Sequence, residues 1–121
     1  MCRALVAAGG VLGFLAVALG AFGAHALKEH ISADRMATYQ VGVQYHLAHS
    51  LAILLVALMA DRLRVRAVGW LWVAGIVIFS GSLYGLAITG IRVLGAITPI
   101  GGVCFLAGWA MLIVRAASAR D

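Results

Sequence analysis

Four long stretches of this chain carry no charge, and that constrains its fold more than any other feature. No Asp, Glu, Lys or Arg lies between Arg3 and Lys28, between Arg35 and Asp61, between Arg66 and Arg92, or between Arg92 and Arg115. Each stretch can cross about 30 Å of hydrocarbon, which takes roughly 20 helical residues. The 121 residues are 64% hydrophobic and 11% charged, whereas a soluble domain carries about a quarter charged residues. A soluble fold of this size cannot bury so much apolar surface. Backbone groups in lipid must pair within their own segment, so the spans are helices and not strands. The expected fold is all-α: a single membrane domain over residues 1–121, a four-helix transmembrane bundle with helices at about 4–24, 33–60, 68–88 and 94–114.

The first span imitates a signal peptide, with Arg3 ahead of it and the small-x-small triplet Ala24-His25-Ala26 at its end. Its apolar run exceeds the roughly 7–15 residues of a signal core, so a retained helix is expected. Orientation follows from Lys and Arg. Arg3, Arg62, Arg64, Arg66, Arg115 and Arg120 fall on one side, and Lys28, Arg35 and Arg92 on the other. The basic excess predicts that the N and C termini are cytoplasmic. The net charge of +5 is therefore an anchor toward the lipid bilayer, not a nucleic-acid groove, and no nucleic acid is expected as a partner. Trp70, Trp72 and Trp109 are read as an aromatic belt on the cytoplasmic side. Ser32 is a candidate N-cap that starts the second helix near Ala33.

Lipid gives no hydrophobic reward for pairing helices, so small residues and polar contacts must hold the bundle together. Gly9, Gly13, Ala16, Gly20 and Ala24 recur at helical spacing in the first span. Gly81 and Gly85 form a GxxxG pair in the third, and Cys104 and Gly108 lie in the fourth. These stripes are internal packing seams or an oligomer seam. Pro99 is read in the first turn of the fourth helix, as a start signal. Cys2 and Cys104 suggest no disulfide framework.

The stretch "VQYHLAHSLAILL" places His46 and His49 at the head of an apolar run. Tyr39, His46, His49 and Ser50 share one stripe of the second helix. His25, Ser80, Tyr84 and Thr98 reach the same depth from the other three, in the outer half of the membrane. Intramembrane polar groups usually face the bundle interior and mark functional sites. His25, Tyr39, His46, His49, Ser50, Ser80, Tyr84 and Thr98 are therefore the candidate ligand-binding residues. Three readings compete. The cluster is an interhelical hydrogen-bond network, a site for a small molecule, lipid headgroup or ion, or a metal or haem site. Any metal would use His25, His46 and His49, but no Cys, Asp or Glu is placed to complete the shell. No cofactor is expected, and lipid is one possible ligand.

Catalysis has little support. All four carboxylates lie in loops or at the C-terminus, and no HExxH, CxxC or phosphate loop occurs. The expected function is a non-enzymatic binding or accessory protein. The alternatives are a small homo-oligomeric transporter or channel component, which would pair with copies of itself or another membrane protein, and a metal- or haem-binding membrane protein.

Four stretches, "LGAFGAHAL" (19–27), "YQVGVQYHLAHSLAILL" (39–55), "SGSLYGLAITG" (80–90) and "ITPIGGVCFLAGWAML" (97–112), together resemble one family. It is the small bacterial inner-membrane family of domain of unknown function 423, related to eukaryotic transmembrane protein 256. The resemblance covers nearly the whole chain in the same order. It implies a multi-pass protein of the bacterial inner membrane and supplies no activity. It also implies that His25, His46, His49, Tyr84, Thr98-Pro99 and Gly101-Gly102 are family-pattern positions.

Overall fold

The computed structural model describes residues 1–120. It contains α1 (Arg3–His25), a short 3₁₀ turn (Leu27–Glu29), α2 (Ala33–Leu63), α3 (Arg66–Thr89) and α4 (Val93–Ser118). There is no strand among the described residues. All four helices are long and apolar enough to span a membrane.

The helix ends follow local chemistry. Ser32 Oγ accepts the Arg35 N–H (3.2 Å), which caps α2 and satisfies one of its free donors. At the other end of α2 the chain turns through Arg64, whose φ of 54° is left-handed. The N–H groups of Arg64 and Val65 both return to the Ala60 carbonyl. This is the hydrogen-bonded stop that helices usually make on glycine. α3 stops on a real glycine, Gly90 (φ 75°), whose N–H bonds to Leu86 O at 2.8 Å. The Arg35 guanidinium donates to the Ile88 carbonyl (2.8 Å), which ties the start of α2 to the end of α3.

The helices run alternately up and down as an open array. α1 packs on α2, α2 on α3, and α3 on α4, while α1 and α4 do not pack on each other. Glycines set each seam, because in lipid only close backbone approach rewards contact. On α1, Gly9 lies under Leu54 and Ile53, Gly20 under Val43, and Gly23 under the Tyr39 ring. That stripe is thus an internal seam against α2. Gly42 of α2 receives the ring of Tyr84. Across α3–α4, Gly75 lies under Phe105 and Gly108 under the Trp72 indole, while a Cβ at Gly101 would strike the backbone of Phe79. Large apolar side chains such as Phe14 and Leu106 point outward, as a lipid-facing surface requires.

Three expectations change. First, α3 is not uniform: Ile76–Ser80 forms a π turn between Gly75 and Gly81. A π turn inserts an extra residue and shifts the phase of everything after it. Gly81 consequently faces open space, so the GxxxG pair is not an internal seam, although Gly85 still meets Leu94. The wide turn is where Gly101 fits against the Phe79 backbone. Second, Pro99 lies in the second turn of α4, because the helix begins at Val93. There its missing N–H leaves the Gly95 carbonyl without its helical partner. Third, Trp72 is fully buried. Its indole N–H donates to the Phe105 carbonyl at 3.1 Å, so it is a core residue rather than part of an interfacial belt. Trp70 is exposed.

Candidate functional site

The eight polar residues singled out from the sequence do not share one pocket. They divide into separate groups by the helix face on which each sits. His25 is exposed at the end of α1. Tyr39 is fully buried; its hydroxyl donates to the Leu19 carbonyl of α1, and its ring lies 5.1 Å from that of Tyr84. Ser50 bonds back to the His46 carbonyl of its own helix (2.7 Å). Ser80 crosses from the π turn to the Gly42 carbonyl (2.8 Å). Thr98 meets Ser82 of α3 and bonds to Leu94 O (3.1 Å). These contacts satisfy hydroxyls and carbonyls within and between helices, which is what membrane interiors demand.

The two imidazoles differ most. His49 is 5% exposed and uses both ring nitrogens. Nδ1 lies 2.9 Å from the Tyr45 carbonyl, and Nε2 lies 3.1 Å from the Trp109 indole nitrogen. A carbonyl only accepts and an indole N–H only donates. Nδ1 therefore carries the proton, Nε2 is bare, and the ring is neutral. The ring is also stacked on Phe105, centroids 3.7 Å apart and 12° from parallel. Trp72 and Trp109 approach its edge at 5.8 and 5.9 Å.

His46, one turn earlier and 3% exposed, looks toward α1 and α3. Its Nδ1 lies 2.8 Å from the Tyr84 hydroxyl. Its Nε2 is buried and closes no hydrogen bond, and the Leu12 backbone of α1 lies on the same side of the ring as a weak acceptor. An acceptor on that side favours a proton on Nε2, so the Tyr84 hydroxyl donates to Nδ1. Opposite tautomers are therefore expected of the two histidines. With His49 saturated and His25 remote, the three histidines do not converge. Among the described residues no three of His, Cys, Asp or Glu are placed to hold one ion.

One cleft adjoins this chemistry. Tyr45, Phe79, Gly102, Leu106 and Trp109 surround about 310 Å³, with His49 and Phe105 as the floor. Tyr45, Leu106 and Trp109 are 43%, 71% and 43% exposed, so the cleft opens sideways on the outer surface between α2 and α4. Of the eight sequence candidates only His49 reaches it. The sequence reading passed over Tyr45, Phe79 and Phe105, and it read Trp109 as part of a cytoplasmic aromatic belt and not as a site residue. The structure instead brings the Trp109 indole level with His49, which supplies the acceptor that a half-buried indole N–H needs.

Comparison with known proteins gives the chain its place. The family model described as "Protein of unknown function (DUF423)" matches residues 19–102. The UPF0382 membrane protein YwdK of Bacillus subtilis (strain 168) is 48% identical over 118 residues, covering 94% of this chain and 96% of the relative. The UPF0382 membrane protein SSP2132 of Staphylococcus saprophyticus is 43% identical, covering 93% and 95%. The UPF0382 inner membrane protein YgdD of Escherichia coli (strain K12) is 45% identical over 111 residues, covering 88% and 83%. No solved structure matches. With four membrane-spanning helices and relatives aligned over nearly its full length, this chain belongs to the DUF423 family of multi-pass membrane proteins.

Proposed function

We propose that this protein is a non-enzymatic binding or accessory protein of the cell's inner membrane, with both termini cytoplasmic, and that it holds a flat apolar molecule drawn from the bilayer. The observation that carries this reading is the lateral cleft with an aromatic floor at Phe105 and His49. Ligand pockets are mostly apolar and aromatic with one or two placed polar groups, and His49 and Trp109 are the polar groups here. A binding role also fits the state of His49. Its neutral ring spends both nitrogens on protein partners, which leaves it no proton to exchange with a substrate.

The test is extraction and mass analysis of lipophilic molecules from the purified protein. A species retained at near one per chain, and lost in Gly102→Leu, whose side chain would enter the cleft, is the expected result. Circular dichroism must show the variant's helices intact. If wild type and Gly102→Leu retain the same molecules in equal amount, the cleft is not a binding site.

A second reading, a homo-oligomeric transporter or channel component, has one observation in its favour. Gln44 is exposed on the outer face of α2, between the exposed Val41 and Ala48, and has no side-chain partner among the described residues. A carboxamide in hydrocarbon gains from a partner on another helix, and a twofold axis would bring Gln44 of a second copy to it. Cross-linking in nanodiscs should then capture a dimer that Gln44→Leu weakens. A monomer under all conditions would end this reading.

A further inference from the structure

The end of the bundle that carries both termini holds a hollow of about 210 Å³ between the C-terminal ends of α2 and α4, lined by Arg62, Leu63, Arg64, Arg115, Ser118 and Ala119. We propose that this hollow is a binding site for the phosphate of an anionic phospholipid headgroup, gripped by Arg62, Arg64 and Arg115. Three exposed guanidiniums from two helices border one hollow, which concentrates positive potential there. Among the described residues none of the three has a carboxylate within ion-pair distance, whereas neighbouring Arg66 is paired with Asp61 at 2.8 Å. Arg64 also borders a second hollow beside Asp61, but that carboxylate is already taken by Arg66 and by the Met1 amino group.

The backbone at Arg64 gives an independent reason. This residue sits in the left-handed conformation (φ 54°) at the position where a helix ordinarily ends on glycine. A non-glycine residue held there stores strain, and such strain tends to gather at functional positions. Its side chain lines the hollow, with the Ser118 hydroxyl on the same wall. Guanidinium forks match phosphate geometry through paired N–H donors, and Leu63 and Ala119 offer an apolar wall to the glycerol end of a headgroup. The site does not depend on the lateral cleft, which lies further along α2 and α4.

The test uses the full chain in nanodiscs of phosphatidylcholine alone or with phosphatidylglycerol. Native mass spectrometry of the released protein reads the retained lipid, and thermal unfolding reads stability. Wild type should retain phosphatidylglycerol over phosphatidylcholine by about fivefold to tenfold. Arg64→Gly should abolish that preference, while its melting temperature in phosphatidylcholine stays level or rises, because glycine relieves the backbone. A surface variant, Arg120→Gln, should keep the preference. The proposal is overturned if wild type shows no preference, or if Arg120→Gln loses as much as Arg64→Gly. It is overturned for a lipid headgroup if inorganic phosphate in phosphatidylcholine discs gives the same stabilisation and phosphatidylglycerol adds none.

Discussion

His46 and His49 stand one helical turn apart on the same buried stripe, yet they occupy different chemical situations. His49 faces α4, gives a proton to the Tyr45 carbonyl, takes one from Trp109 and is stacked on Phe105. His46 faces α1 and α3, has one partner in Tyr84 and leaves a buried nitrogen without a hydrogen bond. Helical spacing alone makes them neighbours. What each ring meets is decided by which helix lies across from it. His49 holds α4 in place, and His46 is the looser joint.

The largest effect should come from His49→Leu. It leaves the Trp109 N–H without its acceptor, at a cost of about 1–3 kcal/mol, and removes aromatic contacts that contribute about 0.5–1.5 kcal/mol. Equilibrium unfolding in mixed micelles should show a total loss of about 3 kcal/mol. Gly101→Ala should follow at about 2 kcal/mol, because its Cβ meets the Phe79 backbone at the π turn and no rotamer relieves the clash. By pushing α4 off α3 it should disturb His49 and spare His46, which histidine chemical shifts would read. His46→Leu should cost least, about 1 kcal/mol, since it breaks only the bond to Tyr84. A loss for His46→Leu as great as for His49→Leu would erase the distinction between the two rings.

The fold was readable because charge in this chain is confined to helix ends. The gaps between Arg3, Lys28, Arg35, Asp61, Arg66, Arg92 and Arg115 mark four spans without reference to tertiary structure. The candidate site was less readable, because a residue's depth in the membrane follows from sequence while its direction around the helix axis does not. Depth alone gathers Ser80, Tyr84, Thr98 and both histidines. In space Ser80 bonds to Gly42, Tyr84 to His46, and Thr98 to Ser82. The π turn at Ile76–Ser80 adds a phase shift that no count at 3.6 residues per turn includes. Trp72 misled for a related reason: an aromatic near a span end suits an interface, but Gly108 opens a slot that draws the indole inward.

The most direct test of the account is nitrogen-15 NMR of histidine-labelled protein in nanodiscs near neutral pH. Exposed His25 and His30 serve as references, and His46→Leu and His49→Leu provide the assignments. The account predicts two neutral rings of opposite tautomer, with His49 protonated at Nδ1 and His46 at Nε2, and only the His46 signals moving in Tyr84→Phe. The same tautomer in both rings, or a doubly protonated His49, would contradict it.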